Sequence, residues 1–201
     1  HTSDIQIHDG TIDPRDLFAR AMTVATPVID GVTSDQLGLP TPCGTYDVAQ
    51  LLGHIVFALD SVAAIGRGDV LGHDVVVFES DDWAADLRRA ADAITAAWAD
   101  DRRLAATVDL PWAAMTGANA LGTYINELTT HTWDLARATG QTVAWDDEVV
   151  AAAFAAIQRE LPVEDRDPIW RSFLEHAPAE AAAAFAPPFA NAVAVADDAA
   201  P

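Results

Sequence analysis

The chain has 201 residues, 51% of them hydrophobic and 21% charged, the make-up of a folded domain with a real core rather than a disordered chain. Acidic residues outnumber basic ones 31 to 11, and the resulting net charge of −20 repels phosphate backbones and anionic lipids, so neither nucleic acid nor a membrane is an expected partner. All 11 basic residues are arginine, so Schiff-base chemistry and a lysine phosphate clamp are excluded as well.

Residues 1–11 read as a loose arm. Asp13-Pro14 then signals a helix start, and Leu17, Ala21, Val24, Val28 and Val32 recur at helical spacing up to about Gly31. The two prolines of Leu39-Pro40-Thr41-Pro42 make a stiff connection. A second helix is expected from Thr45, as N-cap, to Gly66 or Gly68. Val48, Leu51, Leu52, Ile55, Leu59 and Val62 line its apolar side. Residues 69–80 read as a loop. Asp81-Asp82 opens a third helix with the stripe Trp83, Leu87, Ala90, Ile94 and Trp98. Residues 104–115 read as an irregular link. Thr116 is expected to cap a fourth long helix that stops at Gly140. Asp146-Asp147 starts a fifth, to about Leu161, and 165–176 allows one more short helix before an Ala/Pro-rich tail.

The expected fold is all-α. A four-helix bundle over 12–145 follows the arm, and a small, mainly helical extension covers 146–201. No apolar run is expected to reach the ~20 residues of a membrane span, and a signal-peptide core is not evident near the N-terminus. The expected location is cytoplasmic. A homodimer is one open assembly, with the apolar tail packing either on the bundle or on a second copy.

Of the six histidines, His1, His8, His73 and His176 fall in arm, loop or helix-end positions and read as surface residues. His54 lies beside the apolar side of the second helix. His131 follows Glu127 by one turn on the fourth helix, so both side chains share a face, with Tyr124 and Asp134 nearby. A carboxylate bordering a core is costly unless it is paired or bound to a metal. Each residue has a plain reading: a core histidine with a hydrogen bond, or an ordinary Glu–His helix pair. Together they make a His2Glu set of the kind that bundles assemble from facing helices, with coordination positions left open for water or substrate. Zinc suits such a set, and nickel, iron or manganese could occupy it. Asp134 either orients His131 from behind, pairs with Arg137, or caps a neighbouring element. Arg137 in turn either pairs with Asp134 or meets an anionic substrate. The single cysteine, Cys43, excludes an internal disulfide. Counted along a mostly helical segment it stands roughly 15 Å from His54 at ~1.5 Å per residue, so it reads as a packing residue rather than a ligand. The sequence contains no nucleophile elbow, P-loop or dinucleotide fingerprint.

Two segments carry a resemblance. Pro42-Cys43-Gly44-Thr45-Tyr46-Asp47-Val48 with Leu51-Leu52-Gly53-His54 is one, and Glu127-Leu-Thr-Thr-His131-Thr-Trp133-Asp134-Leu135-Ala136-Arg137-Ala138-Thr139-Gly140 is the other. They resemble the signatures of the DinB-like family that includes the N-terminal domain of mycothiol-dependent maleylpyruvate isomerase. The tail, Phe185-Ala-Pro-Pro188 with Ala196-Asp197-Asp198-Ala199, resembles an uncharacterised metal-binding branch of that family. The resemblance implies a DinB-type four-helix bundle whose divalent metal is held by His54, Glu127 and His131. It also implies thiol chemistry, in which mycothiol or another low-molecular-weight thiol is activated to attack a small electrophile, as in isomerases and S-transferases. Tyr46 departs from the family's usual tryptophan, and the chain has no expected counterpart of the isomerase's sterol-carrier-like second domain. Metal binding therefore carries over further than any particular reaction.

Three functions follow as expectations. The first is a metal-dependent enzyme in which a thiol or water is activated, with substrate walled by Trp112 and Tyr124. The second is a non-catalytic metal-binding or stress-response protein on the same scaffold. The third is a helical ligand- or partner-binding domain without metal.

Overall fold

A computed structural model describes residues 12–44, 46–72 and 78–160. The expected arm, the short helix at 165–176, the Ala/Pro-rich tail and four of the histidines (His1, His8, His73 and His176) lie outside the described residues.

Helix α1 spans Pro14–Asp30 and starts as its sequence dictates. Asp13 accepts from the Arg15 amide at 2.8 Å, and Pro14 fills the first turn, where no amide is needed. Its buried face is Phe18, Ala21, Met22, Ala25, Val28 and Ile29, rotated from the expected Leu17–Val24 line because Phe18 and Met22 supply the larger apolar surface. Helix α2 spans Val48–Arg67 and ends at Gly68 in the left-handed conformation. Its cap is Asp47, two residues after the expected Thr45, which itself lies outside the described residues. The reason is a reciprocal pair: Asp47 accepts from the Gln50 amide at 2.8 Å, while the Gln50 side chain accepts from the Asp47 amide at 3.0 Å. All six residues of the expected α2 stripe are buried.

One expectation about α2 needs correcting. Its 20 residues are long and apolar enough to cross a membrane by length and composition, contrary to the reading that no run reaches that size. In the fold most of that surface is packed against neighbouring helices, as in the core helix of a bundle.

Helix α3 spans Trp83–Ala97, capped by Asp82. The segment read as irregular is ordered instead. A one-turn helix α4, Arg102–Ala105, leads into β1, Thr107–Asp109, which pairs antiparallel with β2, Ala114–Thr116. Strands of three residues are too short to display a period of two, which is why the pattern did not reveal them. Helix α5, Gly117–Thr139, is capped by Thr116 and closed by left-handed Gly140, and α6, Asp147–Glu160, starts on Asp146, as expected.

The four long helices form a ring of neighbours. α1 packs on α5, α5 on α2, α2 on α3, and α3 back on α1. α6 lies outside, against α5 and α1, and a bidentate Arg20–Asp146 pair at 2.7 and 2.8 Å pins its start to α1. This is an all-α bundle of the DinB-like type. Leu51, Leu52, Leu59, Leu121, Ile125 and Leu135 are its largest fully buried side chains, and all six lie on the α2–α5 pair. Burying each stabilises the fold by about 1.5–3 kcal/mol, so the seam that holds the bundle together also fixes the relative position of any side chains projecting from it.

Candidate metal centre

At one end of the α2–α5 seam the apolar stripe gives way to His54 on α2 and to Glu127, His131 and Asp134 on α5. The i, i+4 spacing stacks Glu127 under His131, as read from the sequence. Glu127 Oε1 accepts from both rings, at 2.7 Å from His54 Nε2 and 3.2 Å from His131 Nε2. The two imidazoles meet edge to face, with centroids 4.8 Å apart. On the far side of its ring, His131 Nδ1 lies 3.0 Å from Asp134 Oδ2.

His131 and Asp134 are 8% and 5% exposed, whereas Glu127 and His54 are only partly covered. The site is therefore anchored at His131 and Asp134 and open at Glu127 and His54. A small pocket with room for about one water adjoins it, lined by Ile55, Ala58, Leu59, Tyr124 and Leu128 together with Glu127 and His131.

The ionisation of the cluster follows from this geometry. Burial opposes the charge on Glu127, but hydrogen bonds from His131 and His54 outweigh it and hold the carboxyl well below the usual carboxylate range. Burial likewise opposes a charged His131. Acceptance of its protons by Asp134, with Cys43 and Glu127 adding to it, prevails and pushes the ring up to about 12. The Tyr124 phenol is also pushed up to about 12, by burial first and then by the charge of Glu127, while Ser61 works the other way. It therefore stays protonated across neutral pH.

Three corrections concern residues around the centre. Cys43 is not remote. A ligating atom of Cys43, one of His131 and one of Asp134 all lie within 4.8 Å of one another. The expected separation assumed helix from Thr45 onward. In fact the chain returns on itself between Pro40 and Asp47, which form a bridge, and only then enters α2. Thr41 Oγ1 donates to the Tyr46 carbonyl at 2.7 Å, the Tyr46 amide donates to the Cys43 carbonyl at 3.1 Å, and Gly44 takes a positive φ of 58° to close the loop. Trp112 does not wall the pocket. It sits in the β1–β2 turn, 57% exposed. Arg137 does not pair with Asp134; it lies over the Trp133 ring, 6.0 Å from the centroid, on the exposed side of α5.

Sequence reasoning passed over Ser61, and it named Tyr46 only as a departure from the family's tryptophan. The Tyr46 ring lies 5.7 Å from that of His54, and Ser61 hydrogen-bonds Tyr124. Ser61 was findable, since 54, 58 and 61 follow one face of α2. The contact of Tyr46 with His54 was not, because only the folded loop carries the ring there.

The donor set fits a divalent cation. Two imidazole nitrogens and one carboxylate oxygen converge from two helices, with ligating atoms within 4.8 Å of one another. Asp134 holds the Nδ1 proton of His131, which turns Nε2 toward the shared point.

Comparison with known proteins bears on the same segments. The family model for the mycothiol maleylpyruvate isomerase N-terminal domain matches residues 18–136, which include His54, Glu127, His131 and Asp134. The chain is 30% identical over 157 residues to the uncharacterised proteins MT0763 and Rv0738 of Mycobacterium tuberculosis, strains CDC 1551 / Oshkosh and ATCC 25618 / H37Rv. The match covers 78% of this chain and 84% of each relative. No solved structure matches the chain significantly.

Proposed function

The chain belongs to the mycothiol maleylpyruvate isomerase N-terminal domain family, and from that premise we propose that it is a metal-dependent enzyme acting on a small electrophile with a low-molecular-weight thiol such as mycothiol. The observation that carries this reading is the convergence of His54, Glu127 and His131 beside a pocket, with the fourth side of the set facing outward.

In this reading His54 and His131 supply nitrogen and Glu127 supplies oxygen to one divalent cation, zinc being the best match to the set and nickel, iron or manganese alternatives. The cation would act as a Lewis acid that lowers the pKa of a coordinated thiol or water. The protein's own residues do the rest. Asp134 fixes the tautomer and direction of His131. Ile55, Leu59 and Leu128 keep the inner wall apolar and exclude water from it. The Tyr124 phenol, held protonated, adds no charge to the pocket it helps to line.

The experiment is turnover of a small electrophile by the zinc-loaded protein with mycothiol or another low-molecular-weight thiol, set beside Glu127→Ala. Thiol-dependent turnover in the wild type and its loss in the variant are expected. Full zinc occupancy with no turnover across a panel of thiols and electrophiles would overturn the enzymatic reading in favour of a non-catalytic metal-binding protein.

A further inference from the structure

One turn along the α2–α5 seam from the donor set lies the small recess. Ala58 stands four residues after His54 on α2, and Tyr124 three before Glu127 on α5, so each helix passes from ligand to recess within one turn. Ile55, Leu59 and Leu128 wall it. Each is 3% exposed or less, and the surface they offer is almost wholly apolar. Glu127 and His131 stand at its edge, but His54 does not line it, so the recess is distinct from the point that the three ligands share.

We propose that this recess is a subsite for a methyl-sized apolar end of the thiol taken up at the cation, and that Ala58 sets its size. The inference rests on the metal and thiol reading and adds to it the kind of thiol the site prefers. Three observations support it. First, close-packed interiors leave few spaces as large as a water, and this one lies against two of the three ligands. Second, a water there would be poorly held. Both ring nitrogens of His131 are engaged, by Asp134 and Glu127, and Glu127 Oε1 already accepts from two rings. Buried waters need two to four polar partners, whereas a methyl group, close to a water in size, needs none. Third, the wall cannot be enlarged or closed without moving the core, except at position 58, where alanine supplies a single methyl. A larger side chain there would occupy the room itself.

The molecule held on the cation is the one whose next atoms fall beside Glu127 and His131. The occupant is therefore the coordinated thiol, and the electrophile approaches from the open side at His54 and Glu127. Thiols ending in a small alkyl group are favoured over those that carry a hydroxyl or a charge to the same place.

The test titrates the cobalt(II)-loaded full chain with ethanethiol and with 2-mercaptoethanol, following the sulfur-to-cobalt charge-transfer band. Wild type is compared with Ala58→Val, which fills the recess, and with Ala58→Ser, which makes it polar at almost unchanged volume. The preference for ethanethiol should be about tenfold greater in wild type than in Ala58→Val, and should fall in the same direction in Ala58→Ser. Intrinsic differences between the two thiols cancel in that comparison. In parallel, xenon added to the metal-free wild type should shift the methyl NMR signals of Ile55, Leu59 and Leu128, and should leave them in place in Ala58→Val. The same thiol preference in wild type and in the folded variants, all loaded with one cobalt, would overturn the proposal even if xenon enters. Wild-type methyl signals that ignore xenon would overturn it as well, while cobalt uptake would keep the metal-binding reading intact. If wild type takes up no cobalt, the metal-binding reading fails and the subsite falls with it.

Discussion

The two ends of the α2–α5 seam treat polar groups in opposite ways. At the α2 C-terminal end the indole Nε1 of Trp98 donates to the Val62 carbonyl at 2.9 Å, and Arg103 Nε donates to the Gly66 carbonyl. Gly66 itself lets the indole close in, since a Cβ there would come 2.7 Å from Trp98 Nε1. These side chains are tied to backbone, which cannot move without the helix. One exception is Arg103 Nη2, buried against Gly68 without an acceptor among the described residues. At the other end His54, Glu127, His131 and Asp134 are tied to one another. Groups bound to backbone serve the fold. Groups bound to each other, and partly open to solvent, can exchange those bonds for a ligand.

The sharpest way to break this contrast is at the first end. Trp98→Ala removes a buried aromatic and leaves the Val62 carbonyl without its indole donor, at a cost of about 3–5 kcal/mol in urea unfolding. Zinc stoichiometry should be unchanged below the unfolding transition; its loss would show that the two ends are not separable.

Asp134→Asn acts at the second end. It should weaken zinc binding by about 10–100-fold, because His131 loses the carboxylate that orients it, while folding is retained. Unchanged affinity by calorimetry would make Asp134 a packing residue.

Proton linkage sharpens the comparison further. In the metal-free protein the depressed Glu127 adds stability that is present above its ordinary value of 4.5 and is lost as pH falls through the lower folded value. The raised His131 adds stability that is complete below 6.5 and is lost as pH rises toward about 12. For this pair, thermal stability of the metal-free protein is greatest between 4.5 and 6.5. Metal must displace the proton on His131, so apparent affinity should rise about tenfold per pH unit above neutrality. A flat profile would remove His131 from the ligand set.

The smallest effect is at Tyr124→Phe. Loss of its hydrogen bond with Ser61 costs about 1 kcal/mol, and zinc binding is unaffected. A large fall in zinc affinity would mean that the phenol belongs to the metal centre.

Legibility in the sequence followed the same divide. The α2 stripe from Val48 to Val62 could be read because a 20-residue helix gives its period room to show. Glu127 and His131 could be read because one turn of helix fixes their relation without tertiary information. That His54 meets them follows from α2 and α5 being neighbours, which bundle packing makes natural. Cys43 was misplaced because its distance was counted along the chain, and chain distance fails wherever a loop doubles back, as it does between Pro40 and Asp47. Trp112 was misjudged for the same kind of reason: it sits in a hairpin turn whose strands were too short to announce themselves.

The central claim is that His54, Glu127 and His131 together hold one divalent cation. Its most direct test is the metal content of the purified chain after incubation with zinc and desalting, for wild type beside His54→Ala and His131→Ala. The account predicts close to one equivalent in wild type and far less in both variants, with all three folded by circular dichroism. A wild type that retains no zinc, nickel, iron or manganese, or a His54→Ala variant that retains as much as wild type, would reduce the cluster to hydrogen bonds between two helices.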